Sequence, residues 1–216
     1  MLDQTEVIYC ICNEVLRALN ISDDLQCKMS TSEIMTFSIM SGMIYGCNYR
    51  LTRLMSLKHK YFPRILSHSQ LVRRIHKVPE RAWGMVFLTL QFFLKNKENN
   101  CFIVDSFPVK AYENHKSFRA KIFSSKEFHG YCASKKQYFF GIKVHMIVNS
   151  DGVPIEFAFA PGRESDIKNF RNLNLNFSMG DLILGDKAYT DYSFEDILLE
   201  SEGIQLLARR KASHKR

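Results

Sequence analysis

The sequence predicts an α/β fold, a mixed sheet preceded by an all-helical N-terminal region, and three observations carry that reading. Apolar residues recur at helical spacing through about the first hundred positions. Near Asn99 and Asn100 the pattern changes to short runs rich in β-branched and aromatic residues. Two of these runs, YFFGIKVHMIVNS and VPIEFAFAPG, flank Ser150-Asp151-Gly152, and a D-G pair between such runs is a strong hairpin signal.

The helical half divides at its caps and breakers. Leu2, Val7, Ile8, Ile11, Val15, Leu16 and Leu19 form one helical stripe, which Asn20, Ser22 and Asp23 stop. Thr31 or Ser32 can cap a second helix that carries Ile34, Met35, Phe37, Ile39 and Met40, with Gly42 and Gly46 weakening its end. A third helix is expected over about 49–60, closed by Pro63. Ser67 or Ser69 then caps a short helix displaying Arg73, Arg74 and Lys77, ended by Pro79. A short, capped, basic helix following another helix is how a helix-turn-helix reader is built, which places a candidate DNA-binding part at about 48–80. A longer helix over about 80–97 carries Trp83, Met85, Val86, Leu88, Leu90, Phe92 and Phe93, apolar surface expected to be buried against the following domain.

The second half reads as strand, hairpin of two strands, helix, strand, helix, strand. Cys101 to Val104 form a short apolar run ending in Asp105. After the hairpin, Ser165 or Asp166 can cap a helix through Phe170. DLILGD is a second short strand ending in an acid, Asp186. A helix over about 192–200, Gly203 and a strand at 204–208 complete the order.

Composition narrows the class. With 216 residues, 46% apolar and 24% charged, the chain is long enough for one or two globular domains. No apolar run approaches the ~18 residues of a membrane span. The N-terminus shows no basic segment followed by a cleavage site, so a cytoplasmic protein is expected. Six cysteines without any CxxC pair argue against a zinc site or a disulfide framework and for free thiols in a reducing compartment. The net charge of +8 is concentrated. Residues 1–49 carry two Lys/Arg against six acids, residues 50–81 nine against one, and residues 107–137 seven against two. Two basic blocks on an otherwise balanced chain point to a polyanionic partner, although a solvated basic face has the same composition.

Asp105 and Asp186 each follow directly on a hydrophobic strand. Ligands of open α/β sheets bind beyond the carboxyl ends of parallel strands, so neighbouring strands would bring both acids to one crevice. Two close carboxylates repel unless a cation lies between them, and a hard ion with oxygen ligands, Mg²⁺ or Mn²⁺, resolves the repulsion. Such ions serve phosphodiester chemistry. An aspartate after a strand is also a common helix cap or turn residue, so spacing alone leaves both readings open.

Four stretches in order, VDSFPV, GYCASKKQYFFGIKVHMIV, DGVPIEFAFAPGRESD and GDKAYTDY, resemble the catalytic domain of bacterial insertion-sequence transposases, specifically the insertion-sequence 982 family. That family belongs to the group sharing DDE chemistry on an RNase H-like fold, and the resemblance covers roughly residues 99–212. It implies an RNase H-like DDE domain over 99–216 after a helical region over 1–98. It implies Asp105 and Asp186 as the first two acids of a catalytic and metal-binding triad. The activity implied is DNA transposition, in which metal-dependent cleavage frees the element's 3′ ends and strand transfer joins them to target DNA. The implied partners are double-stranded DNA, both element ends and target, and further copies of the chain when assembled on DNA. Lys187 and Tyr189 fall beside the second acid, where they could position DNA. Lys143 and His145 share one strand face near the first acid, because residues i and i+2 point the same way. With Arg73, Arg74, Lys77, Lys135 and Lys136, the residues Lys143 and Lys187 make up the expected DNA-binding set. Asp166 is expected to be a helix cap.

The resemblance breaks at the third acid. In the family it is a glutamate on a helix beyond a basic segment resembling ARRKASHKR, the segment in which this chain stops. Asp191, Glu195, Asp196, Glu200 and Glu202 follow Asp186 but are expected to belong to the next helix and mostly to face solvent. The expectation is therefore an incomplete catalytic domain, impaired in strand transfer, with apolar surface exposed on one sheet face. The alternative is a catalytically inactive DNA-binding fragment that recognises element ends and represses transposition.

Overall fold

The computed structural model describes residues 4–94, 100–112, 121–132, 135–173 and 177–209. The chain divides into two units, Met1–Phe93 and Leu94–Arg216.

The described residues of the first unit form five helices: α1 (Gln4–Ala18), α2 (Thr31–Tyr45), α3 (Tyr49–His59), α4 (His68–Lys77) and α5 (Glu80–Leu94). Their apolar stripes meet in one core containing Cys12, Leu16, Met29, Ile34, Phe37, Met40, Leu71 and Ala82. Each large side chain fully withdrawn from water here contributes about 1.5–3 kcal/mol. The N-cap of α2 is Ser30, one position before the expected Thr31 or Ser32. Its hydroxyl accepts from the Glu33 amide, and the Glu33 carboxylate accepts from the Ser30 amide at 2.6 Å. Thr31 is drawn instead to Asp23. Ser67 caps α4 in the same reciprocal way with Gln70. Lys60, in a left-handed conformation, ends α3 ahead of Pro63. Along α5, Ala82 and Val86 are buried in this core.

The second unit is α/β, built on a mixed sheet of six strands among the described residues. They are β1 (Cys101–Tyr112), β2 (His129–Cys132), β3 (Gln137–Asn149), β4 (Pro154–Pro161), β5 (Leu182–Gly185) and β6 (Gln205–Ala208). β3 runs antiparallel to β1 on one edge and to β2 and β4 on the other; β5 and β6 extend the sheet parallel to β1. The hairpin between β3 and β4 turns as expected, and Asn149 holds it by accepting from the amides of Asp151 and Val153. Helices α6 (Asp166–Arg171) and α7 (Tyr192–Glu202) contribute Phe170 and Leu198 to a core with Phe102, Val104, Ile147, Ile183, Tyr189 and Leu206.

Two features depart from the sequence reading. β1 does not stop at Val104 but continues to Tyr112, and HGYC forms an additional strand, β2. Alternation along β1 then assigns residues to two faces. Phe102 and Val104 point into the core, while Ile103 and Phe107 lie exposed on the other side. Register extends that second face through Leu184 to Leu207, and through Val144 to Phe159, which is 64% exposed. Leu207 on that face is exposed as well.

Candidate active site

Register brings the two aspartates together. The parallel ladder between β1 and β5 ends at the pair Val104 and Gly185. The next residue on β1 is Asp105 and the residue just past the end of β5 is Asp186, so register sets both at the carboxyl end of the shorter strand, where α/β sheets bind ligands. Both are exposed. Asp105 Oδ1 accepts from the Ser106 amide at 2.7 Å, and Asp186 Oδ1 accepts from the Ala188 amide at 2.7 Å as N-cap of a 3₁₀ turn, Lys187–Tyr189. Among the described residues no ion pair engages either carboxylate. Exposed oxygen donors of this kind fit a hard divalent cation, and Mg²⁺ is commonly held by one or two carboxylates with substrate phosphate and water completing its shell. No group of three His, Cys, Asp or Glu among the described residues is arranged to hold a metal.

Behind the pair, on the core face of β1, lies a polar network that sequence reasoning reached only in part. Asp166 Oδ1 accepts from Ser106 Oγ at 2.8 Å and from Lys143 Nζ at 3.1 Å. Lys143 also donates to the Glu164 carbonyl at 2.9 Å. Ser106 joins the network to the site, because its own amide holds Asp105. His145, opposite Ser106 in register, is fully buried. Its Nδ1 lies 3.4 Å from the Tyr189 hydroxyl, and its Nε2 stops 3.8 Å from Asp166 Oδ1, too far for a hydrogen bond. Burial holds the imidazole below its ordinary pKa, opposed by Asp166 and reinforced by Lys143. Tyr189, also fully buried, has its phenol pKa pushed up, first by burial and then by the negative field of Asp166, Asp105 and Asp186.

Three expectations change here. Asp166 is not a helix cap; Ser165 holds the N-cap position of α6 and makes no side-chain capping bond. Tyr189 cannot meet DNA, because it packs edge-on against Phe170 inside the core. Glu195 does not face solvent; it is buried at the start of α7, where its carboxylate accepts from the Asp191 amide.

The Transposase DDE domain family matches residues 96–215, more than half of the chain. The chain belongs to that family. No curated protein matches the sequence.

In this DDE transposase chain the expected DNA-binding residues divide into two groups. Arg73 and Lys77 on α4, Lys135 and Lys136 in the turn between β2 and β3, and Lys187 after Asp186 are exposed. Arg74 and Lys143 are turned to internal partners. Arg74 donates to Asp23, Cys27 and Thr31, fixing the loop before α2 onto α4, and Lys143 is held by Asp166. Residues 113–120, within the second basic block, lie outside the described residues. Among the described residues no helix is long and apolar enough to cross a membrane. Ser106 and Glu164 were missed as parts of the site. The only sequence signal for Ser106 was its place beside Asp105; Glu164 enters through a backbone carbonyl, which leaves no signal at all.

Proposed function

We propose that this chain carries out metal-dependent DNA strand cleavage and strand transfer at insertion-sequence ends, as a member of the insertion-sequence 982 group. The observation that carries this reading is the adjacent placement of Asp105 and Asp186 beyond the parallel ladder. The strand order, an antiparallel β1, β3, β4 set extended by parallel β5 and β6, is compatible with an RNase H-like fold.

Asp105 and Asp186 would hold Mg²⁺ or Mn²⁺. When bound, that cation supplies Lewis-acid stabilisation of charge on the attacking and leaving oxygens of a phosphodiester. Ser106 keeps Asp105 in place through its amide, Asp166 accepts from the Ser106 hydroxyl, and Lys143 holds Asp166. Buried Tyr189 anchors the turn that presents Asp186, and exposed Lys187 on that turn takes a DNA phosphate. Arg73 and Lys77 on α4 take duplex phosphates away from the chemistry, with helices α3 and α4 as the helix-turn-helix-like part. Assembly of several copies on DNA completes this reading.

A second reading, a DNA-binding chain that recognises element ends without cleaving them, is favoured by one observation: among the described residues no group of three His, Cys, Asp or Glu could hold a metal ion. Relaxation of supercoiled plasmid by the purified full chain in Mg²⁺ or Mn²⁺ separates the two. Metal-dependent nicking that disappears in Asp105→Asn and Asp186→Asn supports cleavage. Plasmid retention without nicking, equal in the wild type and both variants, supports the second reading.

A further inference from the structure

A row of five rings crosses the strand tips of the second unit. Tyr112 stacks on Phe140 with centroids 5.2 Å apart, Phe140 on His129 at 4.7 Å, His129 on Tyr138 at 5.2 Å, and Tyr138 meets Tyr131 at 4.9 Å. Register explains the row, since β2 and β3 pair His129 with Phe140 and Tyr131 with Tyr138, while β1 pairs Tyr112 with Phe140. The row does not close into a core. Its inner rings are half-buried, but Tyr138 is 59% and Tyr131 48% exposed.

Beside the exposed end opens a cleft of about 440 Å³, lined by His129, Tyr131, Tyr138, Lys143 and Arg163. That size lies within the roughly 300–1,000 Å³ of small-ligand sites. Gly130 and Gly162 form its backbone wall, and a Cβ on Gly130 would come within 2.3 Å of the Gly162 carbonyl oxygen. The surroundings are cationic. Residues 121–143 carry five lysines against one acid, Glu127, and Arg163 is exposed at the rim. Through Lys143 the cleft reaches Asp166, Ser106 and so Asp105.

From this juxtaposition we infer that the cleft binds an unpaired nucleobase of a DNA strand, stacked on Tyr138 and Tyr131, with Arg163 and the turn lysines on the flanking phosphates. The π-face of any base fits an exposed aromatic ring, and positive charge along the rim tracks the backbone. A fully paired duplex offers no free base face there, so the site distinguishes unpaired from paired DNA. The inference rests on the reading of the chain as a DNA-handling protein but requires neither metal nor cleavage.

The test uses the full chain in EDTA, which removes every metal-dependent step. A single-stranded oligonucleotide carrying 2-aminopurine and the matching blunt duplex are titrated with protein while 2-aminopurine emission is followed. The expected result is quenching and preferential binding of the single strand. Affinity should fall on the order of tenfold for each ring removed in Tyr138→Ala and Tyr131→Ala. Tyr138→Phe, which keeps the ring, should bind like the wild type. Both tyrosines are exposed, and circular dichroism checks that the variants remain folded. Equal affinity for single strand and duplex, alanine variants that bind as tightly as the wild type, or no binding of the single strand would each overturn the inference. None of these outcomes bears on cation binding at Asp105 and Asp186, which is measured separately.

Discussion

Replacing Asp166 with asparagine isolates the charge that holds the network behind the site. The amide oxygen can still accept from Ser106, but Lys143 loses its counter-ion. Both side chains are mostly shielded, at 16% exposure for Lys143 and 17% for Asp166. Breaking a fully buried pair costs about 3–5 kcal/mol. Lys143 retains the Glu164 carbonyl at 2.9 Å and some solvent, so the loss should be nearer the value of one hydrogen bond to a charged group, about 1.5–3 kcal/mol. For a unit of this size about 2 kcal/mol corresponds to roughly 6–10 °C in Tm. The single tryptophan, Trp83, belongs to the first unit, so its fluorescence reports that unit and leaves the second to far-ultraviolet circular dichroism. A double-mutant cycle with Lys143→Met should return a coupling on the order of 1–2 kcal/mol. Unchanged melting of the second unit, or effects of the two substitutions that simply add, would show that Asp166 and Lys143 do not act as a pair, and the positioning of Asp105 through Ser106 would have to be abandoned.

Two further outcomes follow from local geometry. Ser30→Ala removes one half of the reciprocal cap on α2 and should destabilise the first unit by about 1 kcal/mol, read from Trp83 fluorescence in urea, while leaving the second unit unchanged. Burial holds the His145 pKa below its ordinary value, so the native state resists a proton that the unfolded chain accepts near pH ~6.5. The stabilisation from His145 is therefore complete above that pH and is lost progressively as pH falls from there through the lowered folded value. Chemical unfolding between pH 5 and 7 should show it, with a shallower dependence in His145→Gln; identical slopes in both proteins would contradict the assignment.

Periodic features were legible in the sequence. The D-G hairpin, Ser67 at the start of α4 and the short LILG strand ending in an acid all follow from local chemistry that tertiary context does not override. The full length of β1 was not legible, because SFPVKAY contains a proline, which ordinarily argues against a strand interior. Beyond Val104 the partner β5 has already ended, so among the described residues β1 pairs only with β3 there, and Pro108 needs no ladder partner on its other side. Strand β2 escaped because HGYC is four residues long and contains a glycine. Both candidate acids could be named from their positions after apolar runs. The contacts of Asp166 could not: Ser106 lies 60 positions away in sequence and Lys143 23, and no local pattern encodes such pairings. Tyr189 misled in the same way, since its place beside Asp186 suggested DNA while the packing of α6 against the turn buries it.

Cation binding by the full chain shows whether Asp105 and Asp186 form one site. Mn²⁺ is titrated by calorimetry, and free Mn²⁺ is followed by electron paramagnetic resonance, for the wild type, Asp105→Asn, Asp186→Asn and the double variant. Saturable binding is predicted in the wild type, weakened by either single substitution. The double variant should lose less than the sum of the two single losses, because both remove parts of one site. Wild-type affinity retained in the double variant, or two independent losses that add, would contradict the account.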